Sequence, residues 1–413
     1  MTPRLRQGVL RSLPGTVIPG LVTYGAFLAI EHLAGSSTLG YISLAWVVAN
    51  IGAAATGLGP SHAALRSIAE APDCADHIRA RYRTIVVRRS LVLAVLVVAA
   101  GLVTTIFSTA FGIMVVVAAP WLLGQAMVLF ETETLKAIHQ FGLASAVLAL
   151  RATLSWGAAV AGAAVIGGTA ATVLPAAVVG IAVAAVVSRA HLEPSTDDDL
   201  HYERSIGRPV SQLSVASYAL GYGDRFIVQA LLGPMAVATY TLGYQLGEGA
   251  MELVTAPVTA AALPKLVHEW QAGDSGRDQA RSLARRLSLA ILGLAVAAPL
   301  VVFAIAPTGI FDLISGDPDL PAIVAIVAAA VGLQGLTRVS YALLLAQGRT
   351  RTALNNFMVV GLLSLVLAPL LTWQFDLIGT AVATMIAYGS LAIITVITAR
   401  QEPNLVGSVE AVL

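Results

Sequence analysis

Apolar runs of about twenty residues follow one another from end to end of this chain, and that single feature removes most folds from consideration. A helix needs about 20 apolar residues to cross the hydrocarbon core of a bilayer. Runs of that size fall at 14–34, 39–60, 90–110, 112–130, 142–165 and 169–188, and again at 210–232, 236–262, 287–306, 321–346, 353–373 and 377–399. A membrane barrel strand would alternate apolar and polar residues over about 10 positions. Leu91–Ala100 (LVLAVLVVAA) does not alternate. The expected fold is therefore an all-α membrane protein with twelve transmembrane helices. Only 11% of the 413 residues are charged, against about 25% in soluble chains. A soluble enzyme, a disordered protein and a single-span anchor on a globular head are all excluded.

Arg4, Arg6 and Arg11 precede the first run and mimic a signal peptide. No small-residue cleavage site follows, so the run reads as a retained first span. Orientation follows from Lys and Arg, which collect on the cytoplasmic side. With the N-terminus inside, inner segments hold 21 of the 24 basic residues, including the clusters 79–89 and 277–286. The outer loops hold none, and carry Glu31, Asp312, Asp317, Asp319 and Asp376 instead. Both termini are expected in the cytoplasm. The net charge of +1 gives no reason to expect nucleic acid as a partner.

The polar stretch 189–209 divides the chain into an N-terminal six-helix lobe (1–188) and a C-terminal six-helix lobe with a short tail (210–413). The stretch reads as a solvated cytoplasmic linker, because the like charges of Asp197–Asp199 repel and stay wet. The halves are faintly alike. Tyr24-Gly25, Ala34-Gly35 and Tyr41 match Tyr222-Gly223, Leu232-Gly233 and Tyr240, and a long basic inner loop (61–89, 263–286) follows the second span of each. Two parallel repeats facing a central cleft are a transporter layout.

Several chemistries are missing. The two lysines, Lys136 and Lys265, do not follow a glycine, so no Walker A motif exists. Cys74 is the one cysteine, which excludes an intrachain disulfide and a Cys-cluster metal site. No HExxH is present, and the outer loops are too short for a catalytic domain. The chain does not read as an enzyme, and no cofactor is expected.

Ionic side chains inside the spans carry the functional expectation, because each costs about 2.5–3.5 kcal/mol to insert and so faces protein or water. Arg151, Asp224, Arg225, Glu248, Glu252 and Arg338 lie there. Arg151 either snorkels to the inner headgroups or lines a cavity. Arg225 either neutralises a neighbouring acid or meets substrate, and Arg338 has the same two readings. Glu248 and Glu252, four apart, share a helix face; they either pair with Arg225 or couple transport to Na⁺ or H⁺, with Asp224 a third coupling candidate. Guanidinium groups suit a phosphate headgroup. Asn50, Gln245 and Asn355, with Gln125, Gln334 and Asn356, either bind sugar hydroxyls or join helices by hydrogen bonds. Mid-span prolines at 120, 175, 257, 299 and 369 kink helices in a way that suits rocking bundles.

Leu33-Ala34-Gly35, Leu39-Gly40-Tyr41-Ile42-Ser43-Leu44-Ala45, Gly57-Leu58-Gly59 and Arg66-Ser67-Ile68-Ala69-Glu70 resemble the opening of bacterial polysaccharide (O-antigen type) flippases. Asp224-Arg225-Phe226-Ile227-Val228, Leu232-Gly233, Val237, Tyr240 and Pro264-Lys265-Leu266 resemble their second half. The resemblance implies the multidrug/oligosaccharidyl-lipid/polysaccharide exporter superfamily, with two six-helix lobes in a V. It implies as partner an undecaprenyl-diphosphate-linked oligosaccharide, moved from the inner to the outer leaflet by alternating access while its tail stays in the bilayer. For such a cargo Arg151, Arg225, Arg338, Asn50, Gln245 and Asn355, placed inside the spans, are the candidates to hold the sugar diphosphate. Lipid II flippases carry two further helices for which this chain has no room. Cation-coupled multidrug extrusion and a non-transporting scaffold for a glycan-assembly complex are the competing readings.

Overall fold

In a computed structural model the protein is described over residues 14–138, 140–188, 192–271, 273–347 and 349–401. Arg4, Arg6, Arg11, Arg189 and both termini lie outside the described residues. The elements among the described residues are helices: α1 (Pro14–Ala34), α2 (Ser36–Ala53), α3 (Gly59–Glu70), α4 (Ala75–Thr104), α5 (Thr109–Ala137), α6 (Phe141–Val165) and α7 (Thr169–Ser188). The short α8 (Asp197–Tyr202) follows, then α9 (Arg208–Tyr222), α10 (Asp224–Leu232), α11 (Pro234–Gln271), α12 (Asp274–Ile305), α13 (Leu320–Ala346) and α14 (Thr350–Arg400). Wide π turns at Ala54–Leu58 and Glu203–Gly207 carry α2 into α3 and α8 into α9.

Among the described residues, nine helices are long and apolar enough to cross a membrane. Their outer faces are oily: Leu91 is 50% exposed, Val95 67% and Leu300 65%. Apolar side chains on such a scale face lipid rather than water. The run 210–232 is divided at Gly223 into helices of 15 and 9 residues, each below spanning length by itself, although Gly223 keeps helical dihedrals (φ −69°, ψ −23°). In α11, Glu248, Glu252 and several Thr, Tyr and Gln residues dilute the apolar content. The runs 353–373 and 377–399 are joined in α14, whose backbone leaves helical geometry at Phe375 and Asp376, the latter at φ 51°.

The basic stretches expected as loops are helical. Residues 61–70 lie in α3 and 75–89 in the first half of α4, while 263–271 end α11 and 274–286 begin α12. The arginines of 79–89 have helix-forming neighbours and no Gly or Pro among them, so the water-facing segment continues the membrane helix.

The chain divides into two compact units, Met1–Leu242 and Gly243–Leu413. In the first, small residues let helices close up: a Cβ on Gly124 would sit 2.9 Å from the backbone of Gly180, which brings α5 against α7. Aromatic edges run through the same unit, from Trp121 to Trp156 (5.3 Å), to Phe27 (5.0 Å), to Trp46 (6.3 Å) and to Tyr222 (5.3 Å). They tie α5, α6, α1, α2 and α9 together. Antiparallel packing of α9 on α2 and α3 begins at Gly59, where an added Cβ would meet Ser211 and Gly207 within 2.5 Å. The second unit packs Leu266, Ile291, Val339 and Leu344 in one core. A Cβ on Gly247 would stand 2.9 Å from the Ala328 backbone, so α11 and α13 touch directly.

The sequence likeness between Ala34-Gly35 and Leu232-Gly233 has a backbone counterpart. Gly35 has φ 85° and Gly233 φ 87°, each turning one helix sharply into the next. An L side chain loses about 1–2 kcal/mol in this left-handed region. Gly35→Ala and Gly233→Ala are each expected to lower stability by about that amount, read from the unfolding midpoint in detergent. Gly249→Ala, mid-helix with open space around its Cα, should gain up to about 1 kcal/mol instead.

Candidate functional site

Asp224 and Arg225 start α10, immediately after the Gly223 break. Arg225 is 0% exposed and Asp224 6%. The Arg225 guanidinium donates to Asp224 Oδ1 (3.3 Å) and to the Gly221 carbonyl (3.4 Å). It lies over the rings of Tyr222 (4.9 Å) and Tyr240 (5.8 Å). Tyr240 Oη donates to Asp224 Oδ2 at 2.6 Å. A buried charge is stable when paired and hydrogen-bonded, and this pair has both, plus two ring faces at cation–π distance. The arrangement holds α9, α10 and α11 together at the end of the aromatic row.

Arg338 sits on α13, about 12 Å from its C-terminal end at 1.5 Å per residue. Its Nη1 donates to Glu252 Oε2 at 2.8 Å, and Nη2 closes a second contact on the other carboxylate oxygen. Gln334 Oε1 accepts from Nη2 at 3.5 Å. Glu248, one turn before Glu252, acts on Arg338 electrostatically. This pair differs from the first in one respect: the Arg338 side chain is 34% exposed and that of Glu252 22%. Two-pronged geometry and partial exposure together make a charge that is held in place yet reachable.

The other expected site residues distribute as follows. Arg151 is half-buried, ten residues into α6, and its Nε has no hydrogen-bond partner among the described residues. Asn50 is 8% exposed; it donates to the Trp46 carbonyl (2.7 Å) and accepts from Gln125 Nε2 (3.0 Å). Gln245 is half-buried with a buried, unpartnered Nε2. Asn355 is exposed, whereas its neighbour Asn356 is buried and bonds Thr398 Oγ1 at 3.0 Å. The two glutamates do share a helix face, and Glu252 takes Arg338 as its partner.

Glu131 was not among the residues singled out by the sequence. It is 0% exposed on α5 and grips two arginines of α4, accepting from Arg79 Nη2 at 2.7 Å and Arg83 Nε at 2.6 Å. Those arginines are four apart and share a helix face, a signal present in the sequence but hidden when 61–89 is read as loop. The opposite side of α4 holds the segment after α7. Arg81 pairs with Asp199 (3.1 Å), Arg89 makes a two-pronged pair with Glu203, and Thr84 Oγ1 donates to the Glu193 carbonyl (2.6 Å). Asp199 also caps α8 through Thr196. Asp197 and Asp198 are solvated as expected, but Asp199 and Glu203 are each 2% exposed. The expectation of a wholly wet linker is thus corrected: paired arginines compensate its carboxylates, so it docks.

No curated protein matches the chain closely. Solved structures match it along nearly its whole length. An inward-facing multidrug resistance MATE family transporter of the MOP superfamily aligns with TM-score 0.67 at 15% identity, covering 95% of this chain and 97% of its own. A eukaryotic MATE transporter gives 0.66 at 14%, covering 97% and 96%. A MOP superfamily transporter from Pyrococcus furiosus gives 0.57 at 14%, covering 96% and 94%. At these identities the likeness establishes the fold alone, a multi-pass all-helical membrane fold shared with MATE transporters. The sequence itself matches a family described as polysaccharide biosynthesis protein over residues 35–269, more than half of its length, and the chain belongs to that family.

Proposed function

We propose that the protein is a flippase that moves an undecaprenyl-diphosphate-linked oligosaccharide from the inner to the outer leaflet of the bacterial cytoplasmic membrane by alternating access. The polysaccharide family and the transporter fold support the class of function. The observation that carries the assignment of cargo chemistry is the partly exposed, two-pronged Arg338–Glu252 pair. A guanidinium already oriented for two carboxylate oxygens meets two phosphate oxygens with the same geometry. Cargo phosphate would take Arg338 from Glu252, and the released carboxylate would then accept H⁺ or Na⁺, which links cargo to coupling ion. Arg151 and Gln245, each with an unsatisfied polar nitrogen, would add donors for phosphate or sugar. Arg225 and Asp224 serve in this reading as the rigid anchor of the α9–α10 break.

The same reading takes 208–232, α11 and both parts of α14 as crossings. That gives twelve spans in two six-helix lobes with both termini in the cytoplasm, an arrangement the placement of the arginines supports. Other proteins of glycan assembly would supply the cargo and remove it.

Purified protein in vesicles tests the proposal. Fluorescent lipid-linked diphosphate oligosaccharide placed in one leaflet should become accessible to a reagent on the other side. Transport of an organic cation with no movement of the glycolipid would establish multidrug extrusion instead, and transport of neither would leave the scaffold reading.

A further inference from the structure

A cavity of about 740 Å³ lies in the first unit, between the π turn after α2, the middle of α4 and the segment from Ser195 to Gln212. It shares no residue with the Arg338 site. Three of its arginines, Arg88, Arg204 and Arg208, are exposed, and among the described residues no carboxylate stands within ion-pair distance of any of them. Arg89 also lines the cavity, but Glu203 neutralises it. Ser211, only 8% exposed, contributes a buried hydroxyl with no hydrogen-bond partner. A buried hydroxyl without a partner is free to donate to a group entering the cavity.

The remaining wall is oil. Val92 and Leu96, one and two turns beyond Arg88, are 57% and 59% exposed on the lipid-facing stripe of α4. A small soluble anion would leave that wall unused, and an alkyl chain alone would leave three arginines and a serine unused. An amphiphile with an anionic head satisfies both.

We propose that this cavity binds the phosphate of an anionic phospholipid, with Arg88, Arg204 and Arg208 around the headgroup, Ser211 donating to it, and an acyl chain lying along Val92 and Leu96. In the orientation proposed above the lipid comes from the cytoplasmic leaflet; the cargo assignment plays no part. Basic pockets at the edge of membrane helices suit such headgroups. The lipid would bridge α4 to the start of α9 where the two π turns lie, and so strengthen the docking of the linker on α4.

The test titrates the full-length detergent-purified protein with phosphatidylglycerol or with phosphatidylcholine of the same chains, and counts bound lipid by native mass spectrometry. Phosphatidylglycerol is expected to bind about tenfold more tightly or better. Each of Arg88→Gln, Arg204→Gln and Arg208→Gln should weaken it about fivefold, and the triple variant about a hundredfold. The variants alter exposed side chains, and their lipid-free unfolding midpoints are expected to match the parent. Equal binding of the two lipids, or a triple variant that keeps the preference, would overturn the proposal. Displacement of the phosphatidylglycerol by inorganic phosphate would overturn it in favour of a soluble-anion site.

Discussion

Arg338→Ala is expected to abolish glycolipid transport, by at least tenfold in initial rate, while the protein still inserts and folds. The pair it breaks is partly exposed. In the wet passage proposed here, loss of such an ion pair costs about 1 kcal/mol or less, because water there would solvate the carboxylate that remains. Transport depends on it far more steeply. A guanidinium presents two parallel donors to phosphate, and a charge-assisted bond of that kind contributes about 1.5–3 kcal/mol. Arg338→Lys keeps the charge and loses the fork, so partial activity is expected. Glu252→Gln should leave Arg338 without its anionic partner, tighten cargo binding and slow release. Initial rates in vesicles and the unfolding midpoint, measured on the same preparations, separate the effect on transport from any effect on folding.

Glu131→Leu is expected to be the most damaging single change to stability, at about 3–5 kcal/mol. Its carboxylate is the shared partner of Arg79 and Arg83, which are 9% and 5% exposed. A leucine fills similar volume but leaves two guanidinium groups buried with one counter-ion missing. Asp76, 3.5 Å from Arg79, is itself almost fully exposed and cannot replace it. The measurement is the yield of monodisperse protein and its thermal midpoint. Adding Arg79→Met and Arg83→Met to Glu131→Leu should restore much of the loss, since removing a whole buried ionic cluster is often neutral. A variant carrying Glu131→Leu alone that is as stable as the parent would contradict the role given to this residue.

How much of this was legible beforehand depends on the range of the interaction. Apolar runs report helices because each run satisfies its own backbone, and the described helices follow the runs. Asp224 and Arg225 are adjacent, so their pairing could be read from the chain. Glu252 and Arg338 are 86 residues apart, and nothing local tells Glu252 to prefer that arginine over Arg225. The docking of Asp199 and Glu203 was invisible for the same reason: each finds its arginine on α4, more than a hundred residues away. Local charge repulsion argues for a wet segment, and tertiary pairing overrides it. The left-handed turns at Gly35 and Gly233 were half-visible, since the repeated Gly marked the places without giving the conformation.

The central claim is that the Arg338–Glu252 pair stands in a wet passage that receives phosphate. Cys74, exposed and the sole cysteine, can be replaced by serine. Gln334→Cys then puts a thiol one turn from Arg338. A charged, water-soluble thiol reagent should modify it, and lipid-linked diphosphate oligosaccharide should slow that modification while an uncharged lipid with the same tail does not. A thiol that the reagent never reaches, or one whose rate the diphosphate leaves unchanged, would contradict the account.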